Sequence, residues 1–339
     1  MTSRLAAMQA RPIFVLIVNY RTGRLAVDSI SSLAPERAAL RGGRVVVVDN
    51  DSGDDSLAVI GRAIEERGWQ AWVTLIPLPR NGGFAYGNNA AIAWVRELAP
   101  HFAFVVLINP DTIARPGVVA QLAARLDAQP SVGVVGGAIE SDRGERLASA
   151  HAMPSPLGEL EASAAFAPLS RLLSRHVVSP PPVDGAHRCD WVSGACMAIR
   201  REVLDDVGPF DEGFFLYFEE VDFCRRAAAA GWECWVDADA RVVHFEGAST
   251  GLTVPSRRLP AYWFASRRRF FLKAYGVTGL LAADLLRTLG RASLLARRAL
   301  GLGGGQGRGV EPARQTRDLL ASDAKALLCG EWRVVAGKR

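Results

Sequence analysis

The residues best placed for chemistry are acids that follow apolar runs. Phe102-Ala-Phe-Val-Val-Leu-Ile108 is short enough for a buried strand, and it stops at Asn109-Pro110-Asp111-Thr112. Proline cannot donate to a ladder, so the strand ends there and Asp111 is delivered to its carboxyl end. Ligands of open α/β sheets bind outside those ends. A carboxylate there suits a hard cation, and the cation suits a diphosphate. Taken alone, the same four residues also make a plain turn. A second acid cluster lies in Phe215-Leu-Tyr-Phe-Glu-Glu-Val-Asp-Phe-Cys-Arg-Arg226. A helix starting near Phe218 puts Glu219, Glu220 and Asp222 in the positive end of the helix dipole. Val221, Cys224 and Ala228 then face a core, and Arg225 and Arg226 come within reach of Asp222. An ionised carboxylate among aromatic rings can act as a general base, whereas acids at a solvated helix start would do no chemistry. His244 follows an apolar pair; opposite Asp111 it would complete a metal shell.

Two further stretches could hold a nucleotide. Asp49 ends the run Arg44-Val-Val-Val-Val-Asp49, where an acid can accept hydrogen bonds from a base or ribose, or simply cap its loop. Val18-Asn19-Tyr20 ends the preceding strand beside it. Asn81-Gly82-Gly83 leads into a helix whose polar side carries Asn88 and Asn89. Paired glycines allow close backbone approach, and a helix N-terminus attracts phosphate.

The elements that must position these residues alternate. Strands are predicted over Ile13–Val18, Arg44–Asp49, Trp72–Pro77, Phe102–Ile108 and Val132–Gly136. Helices are predicted over Asp28–Leu40, Leu57–Arg67, the run after Asn81 with Ala91, Ile92, Val95, Leu98 and Ala99 on one face, and Val118–Ala128. This order predicts a doubly wound α/β fold with a mostly parallel sheet. From Ser141 to Asp190 repeated prolines predict an irregular insertion. Trp191–Arg200 is strand-like, Arg201–Val207 a short helix, and Glu233–Val236 and Arg241–Val243 two short strands. Tyr262–Tyr275 interleaves aromatics with arginines and reads either as a surface helix on anionic lipid or as a helix packed on the protein. Leu280–Leu300 is helical in spacing, Gly301–Gly309 reads as a linker, and a last helix follows.

The chain of 339 residues, 49% hydrophobic and 22% charged, is ordinary for a globular enzyme. Its net charge of +5 is concentrated in the last third. Five cysteines without a Cys-x-x-Cys pair point to reduced thiols rather than a disulfide frame or a zinc site. No signal-peptide core or bilayer-spanning run is found. The only lysines are Lys273, Lys325 and Lys338, so a Walker loop is absent, as is a nicotinamide-type glycine fingerprint. A nucleotidyltransferase would want a lysine-bearing glycine loop before Asn19. A processive polysaccharide synthase would want spanning helices and a Gln-x-x-Arg-Trp motif. Neither is present. A non-catalytic nucleotide-sugar binder remains the alternative to an enzyme.

In their order and spacing, these motifs closely resemble glycosyltransferase family 2, in particular its bacterial rhamnosyltransferase-like members. The motifs are Asn19-Tyr20, Val48-Asp49-Asn50-Asp51-Ser52, Asn81–Asn89, Leu107–Thr112, Ser193–Arg200, Gly208–Asp222, His244 and Ser249-Thr250. The resemblance implies a GT-A type fold, a Rossmann-like sheet flanked by helices, with a C-terminal helical extension. It implies a nucleotide-sugar donor, a divalent cation (Mg²⁺ or Mn²⁺) and inversion at the anomeric carbon. Val18, Asn19, Tyr20, Asp49, Asn81, Gly83, Asn88 and Asn109 would line the donor site, and Trp191, Gly194 and Asp222 the acceptor site. Asn109 replaces the first acid of the family's Asp-x-Asp, leaving Asp111 and His244 as metal ligands. Glu220 would be the base, with Glu219 the alternative. The implied division is a tail over 1–11, a transferase domain over 12–253 (donor half to about 140, acceptor half from 141), a basic amphipathic extension over 254–300, and a linker with a C-terminal helix over 301–339. The implied activity is transfer of L-rhamnose from dTDP-L-rhamnose, or of another UDP- or GDP-linked sugar, to a lipid-linked glycan. The implied place is the cytoplasm, peripheral on the inner membrane face with contact to anionic lipid, and a homodimer is allowed.

Overall fold

The computed structural model describes residues 11–245, 258–302, 312 and 314–330. Ser249-Thr250 and most of the N-terminal tail and glycine-rich linker lie outside the described residues. The chain divides into two compact units. The first holds Met1–His151, Pro181–Phe215 and Glu219–Thr250; the second holds Ala152–Pro180, Leu216–Phe218 and Gly251–Arg339.

In the first unit the strands are β1 (Ile13–Asn19), β2 (Val45–Asp49), β3 (Val73–Pro77), β4 (Phe104–Ile108), β5 (Thr112–Ala114), β6 (Val132–Glu140), β7 (Ala150–His151), β8 (Ala186–Cys189), β9 (Trp191–Val192), β10 (Cys196–Arg200) and β11 (Glu233–His244). The helices are α1 (Gly23–Leu33), α2 (Ser56–Glu66), α3 (Gly83–Leu98) and α4 (Val118–Ala128). The main sheet runs β3-β2-β1-β4-β10-β6-β11-β5, with β8 beside β11. The pairs β1–β2, β1–β4 and β2–β3 are parallel, as expected. The far half is mixed, because β10 runs antiparallel to both β4 and β6 while β6–β11 is again parallel.

Both faces of the sheet are covered, and the period-2 alternation of strand side chains sorts the valines and isoleucines between them. Ile13, Val15, Ile17, Val45, Val47, Phe104, Val106 and Ile108 enter one core. Phe14, Leu16, Val18, Val46, Val48, Val105 and Leu107 enter the other. The predicted elements stand with corrections. Asp28–Leu40 is not one helix: α1 starts at Gly23, and Ala34–Leu40 is a 3₁₀ segment. In that segment Glu36 accepts from the N–H groups of Gly117 at 2.5 Å and Val119 at 3.1 Å, satisfying orphan donors at the start of α4. Leu98 is exposed rather than in the core stripe of α3. The two short strands near the end are one strand, β11, with a register shift between Asp237 and Arg241.

The stretch 141–190 is more ordered than its prolines suggest. Beside β7 and β8 it contains, in the second unit, α5 (Pro156–Ala164) and α6 (Ala167–Leu172). Pro156 and Pro168 sit in the first turns of these helices, where a missing N–H costs nothing. Ser155 caps α5 by accepting from Gly158 N at 3.1 Å. Back in the first unit, α7 (Arg201–Val207) and α8 (Glu219–Ala229) follow; Ala227, not Ala228, completes the buried face of α8.

The second unit is built on α9 (Ala261–Ala299), interrupted at Gly276, whose φ of 69° takes it out of the helical region, and on α10 (Gln315–Leu328). Gly290 of α9 lies so close to α5 that a Cβ would fall 2.1 Å from Ser163 Oγ. The aromatic-arginine stretch takes the packed alternative: Phe264, Phe270, Phe271 and Leu272 are buried and Arg267 is 0% exposed. Arg267 donates to Glu159 of α5 at 2.9 Å, to Asp284 of α9 at 2.8 Å and to Asp323 of α10 at 3.3 Å. Arg287 and Arg268 complete the network, to Glu159 and Asp323, each at 2.8 Å. A buried charge is tolerated only when paired, and removing one partner leaves its counter-charges unneutralised. Arg267→Ala is therefore expected to cost about 3–5 kcal/mol in urea unfolding.

Candidate active site

The strand order reverses direction at β1. From β1 the chain adds β2 and then β3 on one side, and afterwards β4 on the other. The crevice outside the carboxyl ends at such a switch point is where ligands bind in open α/β sheets. Asn19, Asp49 and Asn109 all fall at those ends.

Asn19 and Asp49 are register partners and are 0% and 1% exposed. Asp49 Oδ2 accepts from Asn19 Nδ2 at 2.7 Å and from Ser52 Oγ at 2.6 Å, and Oδ1 accepts from Ser52 N at 3.0 Å. The capping alternative thus describes Asp49 as it stands, and the same bonds orient Asn19. Ser52 also accepts from Arg21 N at 2.9 Å, which holds the turn after β1 where Arg21 adopts φ 57°. Tyr20 stands partly exposed with the Arg21 guanidinium 5.1 Å from its ring centre. Val18 is buried against Gly87, where a Cβ would meet a Val18 methyl at 2.6 Å, so α3 packs directly onto the end of β1.

The Asn-Gly-Gly turn is tied to the same loop. Asn50 Nδ2 donates to Asn81 Oδ1 and to Gly83 O, both at 3.0 Å, and Gly83 N donates to Asn81 Oδ1 at 3.0 Å. Gly83 has φ 87°, and a Cβ there would lie 2.0 Å from Phe215 O. The close approach lets Phe84 N donate to Phe215 O at 2.9 Å, four residues before Glu219. Asn88 is fully buried and its amide donates to Phe84 O at 2.9 Å. Asn89 closes the other side, exchanging bonds with Phe210 N and O at 2.9 Å.

A second chain of contacts returns to β4. Gly194 lies under Phe84, with room for no more than a Cβ at 3.0 Å from its ring, and Asn109 N donates to Ala195 O at 3.3 Å. β5, which the sequence did not reveal, pairs with β11 so that His244 faces Thr112. That pairing brings His244 Nε2 to 3.2 Å from Asp111 Oδ1 and 3.5 Å from the Asn109 amide nitrogen. Asp111 is 4% exposed. An imidazole nitrogen and a carboxylate oxygen at one point form a donor pair that would suit a divalent cation such as Mn²⁺, with the remaining positions open to phosphate oxygens and water; the Asn109 amide nitrogen beside them is a hydrogen-bond donor, not a ligand. Among the described residues no cluster of three or more His, Cys, Asp or Glu forms a metal cage.

Glu219, Glu220 and Asp222 open α8 as expected, but they differ in environment. Glu219 is 2% exposed, which rules out acids at a solvated helix start. Glu220 is half-buried with its Oε2 shielded from water. Burial pushes the Glu220 carboxyl up to about 7, against the downward pull of hydrogen bonds from the Glu220 and Val221 N–H groups. Asp222 is 0% exposed and accepts from Arg226 at 2.9 Å and Arg225 at 3.3 Å, so its charge is spent within α8 rather than on an acceptor. Trp191 stacks on His151 across the β7–β9 pair, ring centres 4.1 Å apart, and contributes a half-buried indole. Asn50, Ser52, His151 and the Phe215 carbonyl are site-building residues that the sequence reading did not assign. Asn50, Ser52 and Phe215 lie inside motifs noted above; nothing local marked His151.

Three likenesses bear on this arrangement. The rhamnosyltransferase named N-acetylglucosaminyl-diphospho-decaprenol L-rhamnosyltransferase of Mycobacterium tuberculosis H37Rv is 31% identical over 245 residues, covering 68% of this chain and 74% of the relative. The low-salt glycan biosynthesis hexosyltransferase Agl10 of Haloferax volcanii is 27% identical over 215 residues, covering 63% and 60%. The mannosyltransferase PcManGT of Pyrobaculum calidifontis, solved with GDP-Man and Mn²⁺, superposes with a TM-score of 0.52 at 17% identity, covering 96% of this chain and 84% of that one; at this identity it speaks for the fold alone. The family described as glycosyltransferase-like family 2 matches residues 10–267, and with the GT-A arrangement of strands around the β1 switch point the chain belongs to that family and is a glycosyltransferase.

Proposed function

We propose that the chain is an inverting transferase that moves L-rhamnose from dTDP-L-rhamnose to a hydroxyl of a lipid-linked glycan. The observation that carries the reading is the approach of His244 Nε2 to Asp111 Oδ1, 3.2 Å, at the mouth of the crevice where Asn19, Asp49 and Asn109 end their strands. The choice of rhamnose and of a lipid-linked acceptor is supported by the M. tuberculosis relative, whose name carries both.

In this reading Asp111 and His244 hold a divalent cation. When bound, the cation neutralises charge gathering on the departing diphosphate. Asn19, Tyr20 and the turn held by Asp49 and Ser52 frame the nucleoside. Asn81 and Gly83 line the donor side of the turn, which the contact of Gly83 with the Phe215 backbone holds in place. Glu220 takes the proton of the acceptor hydroxyl as its oxygen bonds to the anomeric carbon. The carbon–oxygen bond to the diphosphate breaks on the opposite face, which inverts the configuration. A carboxyl at about 7 is matched to that work: it is ionised often enough near neutrality, yet basic enough to draw the proton. Glu219, more deeply buried, remains the alternative base. Trp191 offers an aromatic face to an acceptor sugar. No described helix is long and apolar enough to cross a membrane.

Donor identity is tested by a thermal-shift panel with Mn²⁺; a shift with dTDP-sugars and none with UDP- or GDP-sugars is expected. Asp111→Ala is expected to abolish Mn²⁺ binding in calorimetry and to lower turnover on the order of 10²–10³-fold. The pH dependence separates the two glutamates. Turnover should fall about tenfold per unit as pH drops below about 7, with Glu220→Gln removing both that limb and most of the rate. Because the folded carboxyl binds its proton more tightly than the unfolded chain does, Glu220 stabilises the fold at acid pH, and that contribution is lost as pH rises through about 7. Glu220→Gln should therefore unfold no more easily than wild type at pH about 8. A wild-type pH limb and rate in Glu220→Gln would move the base role to Glu219.

A further inference from the structure

Thr112 carries a hydroxyl that the transfer reaction, as described, leaves idle. The residue is 0% exposed, and its buried Oγ1 has no hydrogen-bond partner among the described residues. A hydroxyl held out of water and unpaired destabilises a fold, and valine would fill the same volume without that cost. The retained oxygen therefore calls for a use.

The pairing of β5 with β11 shows what it lies beside. Thr112 is the register partner of His244, and Ala114 that of Val242. Residues directly opposite in an antiparallel pair share one face, with Cβ atoms about 4.5–5.5 Å apart. Ala114 and Val242, two residues along each strand, belong to the core entered by Ile13 and Val15. By the period-2 alternation, Thr112 and His244 sit side by side on that same face. Both strand ends are pinned there. Thr112 N donates to Asn109 O at 3.1 Å, and Phe245 N donates to Asp111 O at 3.0 Å.

The His244 ring has two nitrogens with different tasks. Nε2 lies 3.2 Å from Asp111 Oδ1. To ligate a cation Nε2 must present its lone pair, so the neutral ring then carries its one proton on Nδ1. An Nδ1–H next to an apolar core needs an acceptor. We infer that Thr112 is a positioning residue for His244: its hydroxyl accepts from Nδ1–H, which fixes the tautomer that leaves Nε2 free and holds the ring toward Asp111. Because Oγ1 is engaged nowhere else among the described residues, no other hydrogen bond has to break for it to turn to the ring. A hydroxyl can also donate, so the same oxygen serves the ring when Nε2 carries the proton and donates to Asp111. The inference rests on the reading that Asp111 and His244 hold a divalent cation.

The test is titration of the full chain with Mn²⁺ alone, the free ion followed by electron paramagnetic resonance, beside urea unfolding without metal. Thr112→Val should bind Mn²⁺ at least about tenfold more weakly, the usual cost of removing the partner of a ligating histidine. Its metal-free unfolding midpoint should equal or exceed that of wild type, since an unpaired buried hydroxyl is gone. Movement in opposite directions separates positioning from packing, which would lower both. Thr112→Ser, which keeps the hydroxyl, should retain wild-type affinity. Wild-type affinity in Thr112→Val, equal weakening in Thr112→Ser, or a Thr112→Val chain that both binds weakly and unfolds early would each overturn the inference alone. A wild type that binds no Mn²⁺, or a His244→Ala chain that binds it as wild type does, would overturn the cation reading and the inference with it.

Discussion

The catalytic unit depends on one buried contact, the hydrogen bond from Asn19 to Asp49 across the ends of β1 and β2. A carboxylate that is 1% exposed must find donors, and Asp49 finds three, from Asn19 and twice from Ser52. The loops after two parallel strands are thereby locked together at the point where the sheet changes direction. Asn50 extends the lock to Asn81 and Gly83, and the Gly83 turn extends it to the Phe215 carbonyl. Two strand ends and the approach to α8 thus form one connected network. In such a network a lost member leaves buried polar atoms unmatched, so the site is held as a unit rather than residue by residue.

The second acidic region works by contrast with the first. Asp222 is neutralised by two arginines of its own helix, so its charge is spent within α8. Glu220, two residues earlier, is held instead by burial, which leaves it with a raised proton affinity. Adjacent acids with opposite treatment are how one short segment can supply both a neutralised acid and a base. The chain enters this segment through Tyr217 and Phe218, both at φ 70°. That conformation costs side-chain-bearing residues of order 1–3 kcal/mol each. The rings are held by stacking of Tyr217 on Tyr262 and by contacts of Phe218 with Trp263 and Phe270, which offsets the strain.

The second unit divides its arginines between two tasks. Arg267 is consumed inside, where Glu159, Asp284 and Asp323 surround it. Burial raises the Asp284 carboxyl to about 6 even with Arg267 beside it, so three acids around one guanidinium are not all comfortably ionised. Arg268 and Arg287 instead brace that cluster from its flanks, donating to Asp323 and Glu159.

Much of this was legible locally. The valine and isoleucine runs are short and continuously apolar, the mark of strands buried on both faces, and Pro110 marks where β4 must stop. The acids of Glu219–Asp222 followed by Arg225 and Arg226 announce a helix start and its ion pairs. Other features are invisible to local reading because they arise from register and close approach. The short strand β5 is recognisable only by its pairing with β11, and that pairing alone brings His244 to Asp111. Pro156 and Pro168 look like breakers in sequence and are helix starts in the fold, because a proline's missing N–H is harmless only in a first turn. Whether Tyr262–Tyr275 met lipid or protein depended on whether carboxylates from distant segments surrounded Arg267, and no window of sequence contains them all. Residue types and periods determined which elements form and which side chains could do chemistry; the strand order and the packing of distant segments decided which of them meet.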